Sequence, residues 1–146
     1  MTFASPLLTR TAIAFALLFL AVYALTFFDA RLLYGVSVWE KPSKFFLSLA
    51  IHMATLAWGI SLLPAEQRRS RGILVASLAF IAAAVFEMGY MTFQSSLGEA
   101  SHFNRTTPFH GVMYSLMGLG AVTLTVTTAY LGWRIRQAGT TPMHFA

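Results

Sequence analysis

The chain has 146 residues, 57% of them hydrophobic and 10% charged, with a net charge of +5 and a mean hydropathy of +0.66. A soluble domain carries about 25% charged residues, so this chain lacks the charge to cover a water-exposed surface and reads as one membrane domain over 1–146. It has no cysteine, which rules out disulfides, thiolate metal sites, Fe–S clusters and cysteine nucleophiles. Its basic residues lie in short flanks between apolar blocks, with no basic run interleaved with aromatics, so no nucleic-acid partner is expected.

Four apolar blocks follow one another. The first, 11–28, exceeds the ~7–15 residues of a signal-peptide core and has no A-x-A site after it, so it reads as a retained helix. A loop over Asp29–Ser43 leads to the second block, 44–63, with Pro42 suited to a first helical turn because no backbone donor is needed there. Pro64 ends that block, and a basic turn leads to the third, 72–93. The fourth, 108–133, follows a polar loop and runs into Arg134, Arg136 and a polar tail. Each is long enough to span ~30 Å of hydrocarbon at about 1.5 Å per residue, and open sheet edges are not viable in lipid. The expected fold is all-α, a four-helix transmembrane bundle in contact with the lipid bilayer.

Arg10, Arg68, Arg69, Arg71, Arg134 and Arg136 fall on the side of the termini, against Arg31, Lys41, Lys44 and Arg105 on the other, where Asp29, Glu40 and Glu99 offset them. Positive charge favours the cytoplasm, which predicts both termini inside and an integral protein of the bacterial inner (plasma) membrane.

Helical spacing then sorts the polar residues. Lys44, Ser48, His52, Thr55 and Gly59 share one face of the second helix, Glu87, Tyr90 and Gln94 one face of the third, and Gly111, Ser115 and Gly118 one face of the fourth. These polar or small faces are expected to meet inside the bundle. Counting down from Lys44 and from Gln94 places His52 ~12 Å and Glu87 ~10 Å deep, so the two could face each other. An ionisable residue at such depth is by default a functional hypothesis. Above them, the loop carrying His102, Asn104 and Arg105 and the helix start at His110 would form a lid, with Tyr114 nearby.

The expected site is therefore a polar pocket opening to the outer side. Glu87 and His52 are its candidate catalytic pair, as a proton relay. His52, His110, Lys44, Arg105, Gln94 and Tyr90 are the candidates for holding a cofactor or ligand. His102 and His110 are candidate metal ligands, since neutral imidazole binds metals and haem takes axial imidazoles. Haem, a metal ion and a quinone-like ligand are all open as cofactors, with proton or electron transfer as the accompanying chemistry. Whether the protein is an enzyme is left open. The alternative is a non-catalytic accessory subunit that docks on other membrane proteins or on copies of itself.

Lys41-Pro42-Ser43-Lys44-Phe45 resembles a K-P-x-K-F motif of uncharacterised bacterial polytopic membrane proteins. The later Glu87, Gln94, Ser101-His102-Phe103-Asn104 and Thr107-Pro108-Phe109 are similar to the E…Q…S-H-F-N…T-P-F pattern of the same group. The resemblance spans helices two to four and implies that the outer polar cluster is a family feature, without implying an activity. This chain departs from the group at His110, where an acid often follows T-P-F.

Overall fold

The computed structural model of the chain describes residues 6–139; His144 and the rest of the polar tail lie outside them. Its elements are α1 (Pro6–Phe28), β1 (Leu32–Leu33), β2 (Val36–Ser37), α2 (Glu40–Ser61), a short turn α3 (Ala65–Arg68), α4 (Arg71–Leu97) and α5 (Pro108–Gly139). Among the described residues the regular structure is all helical apart from the two-residue strands, and α1, α2, α4 and α5 are each long and apolar enough to cross a membrane. The loops at 29–39 and 98–107 lie at one end of the four helices, called here the hairpin end.

Local chemistry sets the helix limits. Ser70 caps α4 by accepting from the Ile73 amide at 3.5 Å, and Gly98 closes it in the left-handed conformation (φ 75°). The amides of Gly98 and Glu99 bond back to the carbonyls of Ser95 and Gln94, the paired closure of a Schellman motif. Thr107 caps α5, its Oγ1 accepting from the His110 amide at 3.2 Å, with Pro108 in the first helical position. The second helix starts at Glu40 rather than Lys44, because Pro42 is tolerated anywhere in a first turn that needs no amide donor.

Between α1 and α2 the chain makes a hairpin that hydropathy did not signal. Leu32 pairs with Ser37 and Leu33 with Val36 around Tyr34-Gly35, both at positive φ (53° and 84°). Positive φ at both central residues is the requirement of a type I′ turn. Asp29 holds the base of this loop, accepting from the Arg31 guanidinium at 2.7 Å and from the Trp39 indole at 2.8 Å. Arg31 also donates to the Ser96 carbonyl at 3.0 Å, which ties the hairpin to the end of α4.

The helices pack as two neighbouring pairs, α1 on α2 and α4 on α5, with α2 contacting α4 and α5 between them. Phe15 meets Phe46 edge-on at 5.3 Å across the first pair. The core between the pairs is built from Met53, Ala57 and Ile60 of α2, Phe80, Ala84, Met88 and Met91 of α4, and Met117 and Leu131 of α5. Methionine fills the irregular gaps of such a core. Most of α1 and α5 stays uncovered by the rest of the chain.

Candidate functional site

Of the three faces that spacing picked out, that of α4 turns inward throughout, and that of α2 meets its neighbours in part, where His52 reaches Thr128 and Gly59 is buried against Ile135 of α5. Glu87, Tyr90 and Gln94 are all buried. Ser48 and Thr55 of α2 and Ser115 and Gly118 of α5 are exposed. Helical spacing shows which residues share a face, but the packing of neighbours decides where the face points. The polar residues accordingly separate into three places.

Glu87 lies in the first. It is 4% exposed, and its Oε1 has no hydrogen-bond partner. The carboxyl lies against Gly120 of α5, so close that a Cβ there would stand 2.6 Å from Oε1 and 3.1 Å from Cγ. Gly120 thus supplies the room that the carboxyl occupies. It also lines a groove of about 380 Å³ between α4 and α5, together with Ala79, Ala83, Phe86, Leu116 and Leu119.

The second place is His52. Its Nε2 lies 3.0 Å from Thr128 Oγ1, and its ring stacks on Phe80 at 5.2 Å. His52 and Glu87 therefore use different partners on α5, Thr128 and Gly120, eight residues or ~12 Å apart by helical rise. The expected facing pair does not form. Part of the offset comes from the start of α2: Lys41, not Lys44, reaches the 98–107 loop. That sets His52 about one turn, ~5 Å, deeper than a count from Lys44 gives.

The third place is the hairpin end. Lys41 Nζ lies 3.0 Å from His102 Nδ1 and 3.4 Å from Ser101 Oγ, and Ser101 Oγ lies 3.0 Å from the same ring nitrogen. Burial and then the Lys41 charge push the His102 ring below its ordinary pKa, and the Lys41 ammonium, which can only donate, makes Nδ1 the acceptor. Gln94, 1% exposed, donates through Nε2 to Glu99 Oε2 at 3.3 Å and to the Ala100 carbonyl at 3.4 Å; its Oε1 has no partner. Glu99 Oε2 also lies 3.3 Å from His110 Nε2. The other ring nitrogen of His110 is within 2.9 Å of Thr107 Oγ1 and 3.1 Å of Thr106 Oγ1. Asn104 donates to the Ala100 carbonyl and accepts from Thr106, bracing the loop.

Lys44 pairs with Glu40 one turn before it on an exposed face. Arg105 stands 5.0 Å over the Tyr114 ring, a cation–π contact at the loop edge. Neither reaches Glu87 by a hydrogen bond or ion pair. Among the described residues no three His, Asp or Glu side chains converge where a metal ion could sit. His102 and His110 make their hydrogen bonds in separate networks, His102 with Lys41 and Ser101 and His110 with Glu99, Thr106 and Thr107. Spacing does not point to Lys41 or Ser101, because Lys41 lies ahead of the apolar block and Ser101 follows the third one in a polar loop. The signal for Lys41 was Pro42, which allows a helix to begin before it.

No protein-family profile, curated protein or solved structure matches the chain.

Proposed function

We propose that the chain is an integral protein of the bacterial inner membrane, both termini cytoplasmic, that binds a lipophilic ligand bearing a hydrogen-bond donor at Glu87. The observation that carries this reading is the unpartnered Glu87 carboxyl against Gly120, beside an apolar groove between α4 and α5. An unpaired charge or an unsatisfied polar group at such depth costs several kcal/mol or more. A ligand hydroxyl or amine donating to Oε1 removes that cost, and the apolar groove takes the ligand's body. A quinol has this character. Proton exchange between its hydroxyl and Glu87 is then the chemistry open to the chain's own residues, while electrons would stay with the ligand. Tyr90 and Gln94 lie on the same face of α4, with ~10 Å of rise from Glu87 to Gln94, whose amide donates to Glu99 beside His110 at the hairpin end.

A hydrophobic carbodiimide tests the site, since it reacts with membrane-embedded carboxyls. Mass spectrometry should find the adduct on Glu87 and none at that position in Glu87→Gln. A short-chain quinol should slow the labelling in a saturable way. A labelling rate that no quinol concentration changes would refute quinol binding at this carboxyl.

One observation favours a second reading, that of an accessory subunit or homo-oligomer. Ser48, His52 and Thr55 are exposed along α2 with their polar atoms already bonded within the chain, to Phe45, Thr128 and Ile51, which leaves a face of small and polar residues of the kind membrane helices use to pack together. A partner helix from another chain would cover them. Purification in mild detergent separates the readings, because a subunit carries its partner at fixed stoichiometry.

A further inference from the structure

The hairpin end holds a second cavity, of about 250 Å³, separate from the groove beside Glu87. One wall is the apolar hairpin, with Leu33, Val36 and Val38; the other carries Lys41, Ser101 and His102. We propose that this cavity binds a small organic oxyanion, a carboxylate on a short apolar stem, with Lys41 as its charge partner.

Charge accounting among the described residues of the hairpin end leaves two basic groups without an acidic partner, Lys41 and Arg105, and of these only Lys41 lines the cavity, Arg105 standing over the Tyr114 ring. Arg31 is paired with Asp29, and Lys44 with Glu40. Lys41 has no acidic partner within ion-pair reach and instead meets two neutral groups, Ser101 Oγ and His102 Nδ1. An ammonium has three donors, and these two contacts leave one for a ligand oxygen. Because Nδ1 of the His102 ring accepts from Lys41, its Nε2 carries the proton, and the ring lines the cavity beside Lys41 as the second donor of the proposed site. A carboxylate offers two oxygens to such a pair of donors.

Glu99 also lines the cavity and is the one acid there. Its Oε2 is already engaged by Gln94 Nε2 and faces His110 Nε2, each at 3.3 Å, so part of its charge is directed away from Lys41. The apolar hairpin wall selects for a carbon stem over a bare inorganic ion. The volume lies below the ~300–1,000 Å³ of drug-sized sites, which limits the stem to a few carbons. Either a soluble carboxylate or the anionic end of a lipid could present this chemistry.

The full chain in nanodiscs of zwitterionic lipid, titrated with hexanoate by calorimetry, tests the proposal. Saturable one-to-one binding is expected, with hexanol of equal stem length binding roughly tenfold or more weakly, as loss of a charge-assisted contact implies. Lys41→Gln should lose a similar factor for hexanoate and little for hexanol. Repeating the titration with phosphatidylglycerol in the disc distinguishes the sources: a weakened apparent affinity for hexanoate identifies a lipid anion as competitor, and an unchanged one identifies a soluble ligand. Equal binding of hexanoate and hexanol, or no saturable binding in zwitterionic discs, overturns the proposal. So does a folded Lys41→Gln that binds hexanoate as the wild type does. If that variant does not fold, the comparison of hexanoate with hexanol on the unaltered chain decides. Glu87 takes no part in any arm, so failure here leaves the groove reading standing.

Discussion

Gly120→Ala is the sharpest perturbation of the Glu87 site. The added Cβ would stand 2.6 Å from Oε1, 3.1 Å from Cγ and 3.3 Å from Cδ of Glu87. The first distance is too short to persist, so the carboxyl has to turn. Turning relieves Oε1 but leaves Cγ tight, and overpacking of this kind costs about 1–3 kcal/mol. Against this, alanine is favoured over glycine inside a helix by roughly 1 kcal/mol. The net expectation for Gly120→Ala is destabilisation by ~0–2 kcal/mol. With Glu87→Ala already in place the conflict disappears and only the helical preference remains, so the same substitution should stabilise by about 1 kcal/mol. The change of sign is the diagnostic. Reversible unfolding of the four proteins in mixed micelles gives the cycle directly, with an expected coupling of ~1–3 kcal/mol. A coupling within the ~0.5 kcal/mol of additive sites would mean that the carboxyl does not rest on Gly120, and the groove reading would lose its geometry.

Three further outcomes follow from local contacts. The Asp29 carboxyl is held well below the usual carboxylate range, first by its hydrogen bond to the Arg31 side chain and then by that to Trp39. A depressed carboxylate stabilises fully above its unfolded pKa of about 3.9 and loses that contribution as pH falls below it. Trp39 emission should therefore hold steady from pH 8 to 5 and change only in more acid solution, whereas Asp29→Asn should show the altered emission already at pH 7. Gly98→Ala meets no close atom, Arg31 Nη1 being 3.9 Å from the new Cβ, so its cost is the left-handed backbone alone, about 1–2 kcal/mol in unfolding free energy. The His52–Thr128 contact, at 3.0 Å, should show a coupling of about 0.6 kcal/mol in a double-mutant cycle, the average for hydrogen bonds between membrane helices; a value near 3 kcal/mol would require a second partner.

The four helices were legible because length and apolar content alone identify a segment able to span a bilayer. Their ends were less so. Leu97 and Glu40 each lie about a turn beyond the apolar blocks, since capping by Gly98 and tolerance of Pro42 set those limits and hydropathy does not. The hairpin was hidden for a different reason. Two-residue strands have no period to detect, and Tyr34 at φ 53° is an unusual residue for a turn position that glycine or asparagine usually takes. What fixes it is the Asp29 contact with Trp39, ten residues on, which no local pattern announces. Glu87 was recognisable from the expense of an acid in an apolar block. Its neighbour Gly120 was not, because a glycine in a helix becomes informative only when the atom that fills its missing Cβ is known.

The chemistry of the unsatisfied atoms gives opposite demands at the two ends of α4. Inside the bundle the orphaned oxygens of Glu87 and Gln94 are seven residues apart on one face. Gln94 Nε2 is spent on Glu99 and Ala100, so its amide cannot turn to donate without bringing two oxygens together. The carbonyl oxygen of Gln94 can only accept, and Glu87 Oε1 beside Gly120 has nothing to accept from. At the hairpin end the surplus runs the other way, with Lys41 presenting a positive charge and a spare donor to a cavity whose one acid is already engaged. A buried polar atom without a partner costs about 1–3 kcal/mol, so each region favours an occupant of opposite hydrogen-bonding sense. One anionic ligand cannot serve both places, because an anion brings no donor to Glu87 Oε1 while it is welcomed at Lys41. The groove therefore calls for a donor and the hairpin cavity for an acceptor, and occupancy of the two is expected to be independent unless the Gln94–Glu99 hydrogen bond transmits it. Gln94→Leu tests that link, because it removes the bond while leaving Glu87 and Lys41 in place. Quinol protection of Glu87 should then be the same with and without saturating hexanoate, and if the unaltered chain already shows no difference, the two sites have no coupling for Gln94 to carry.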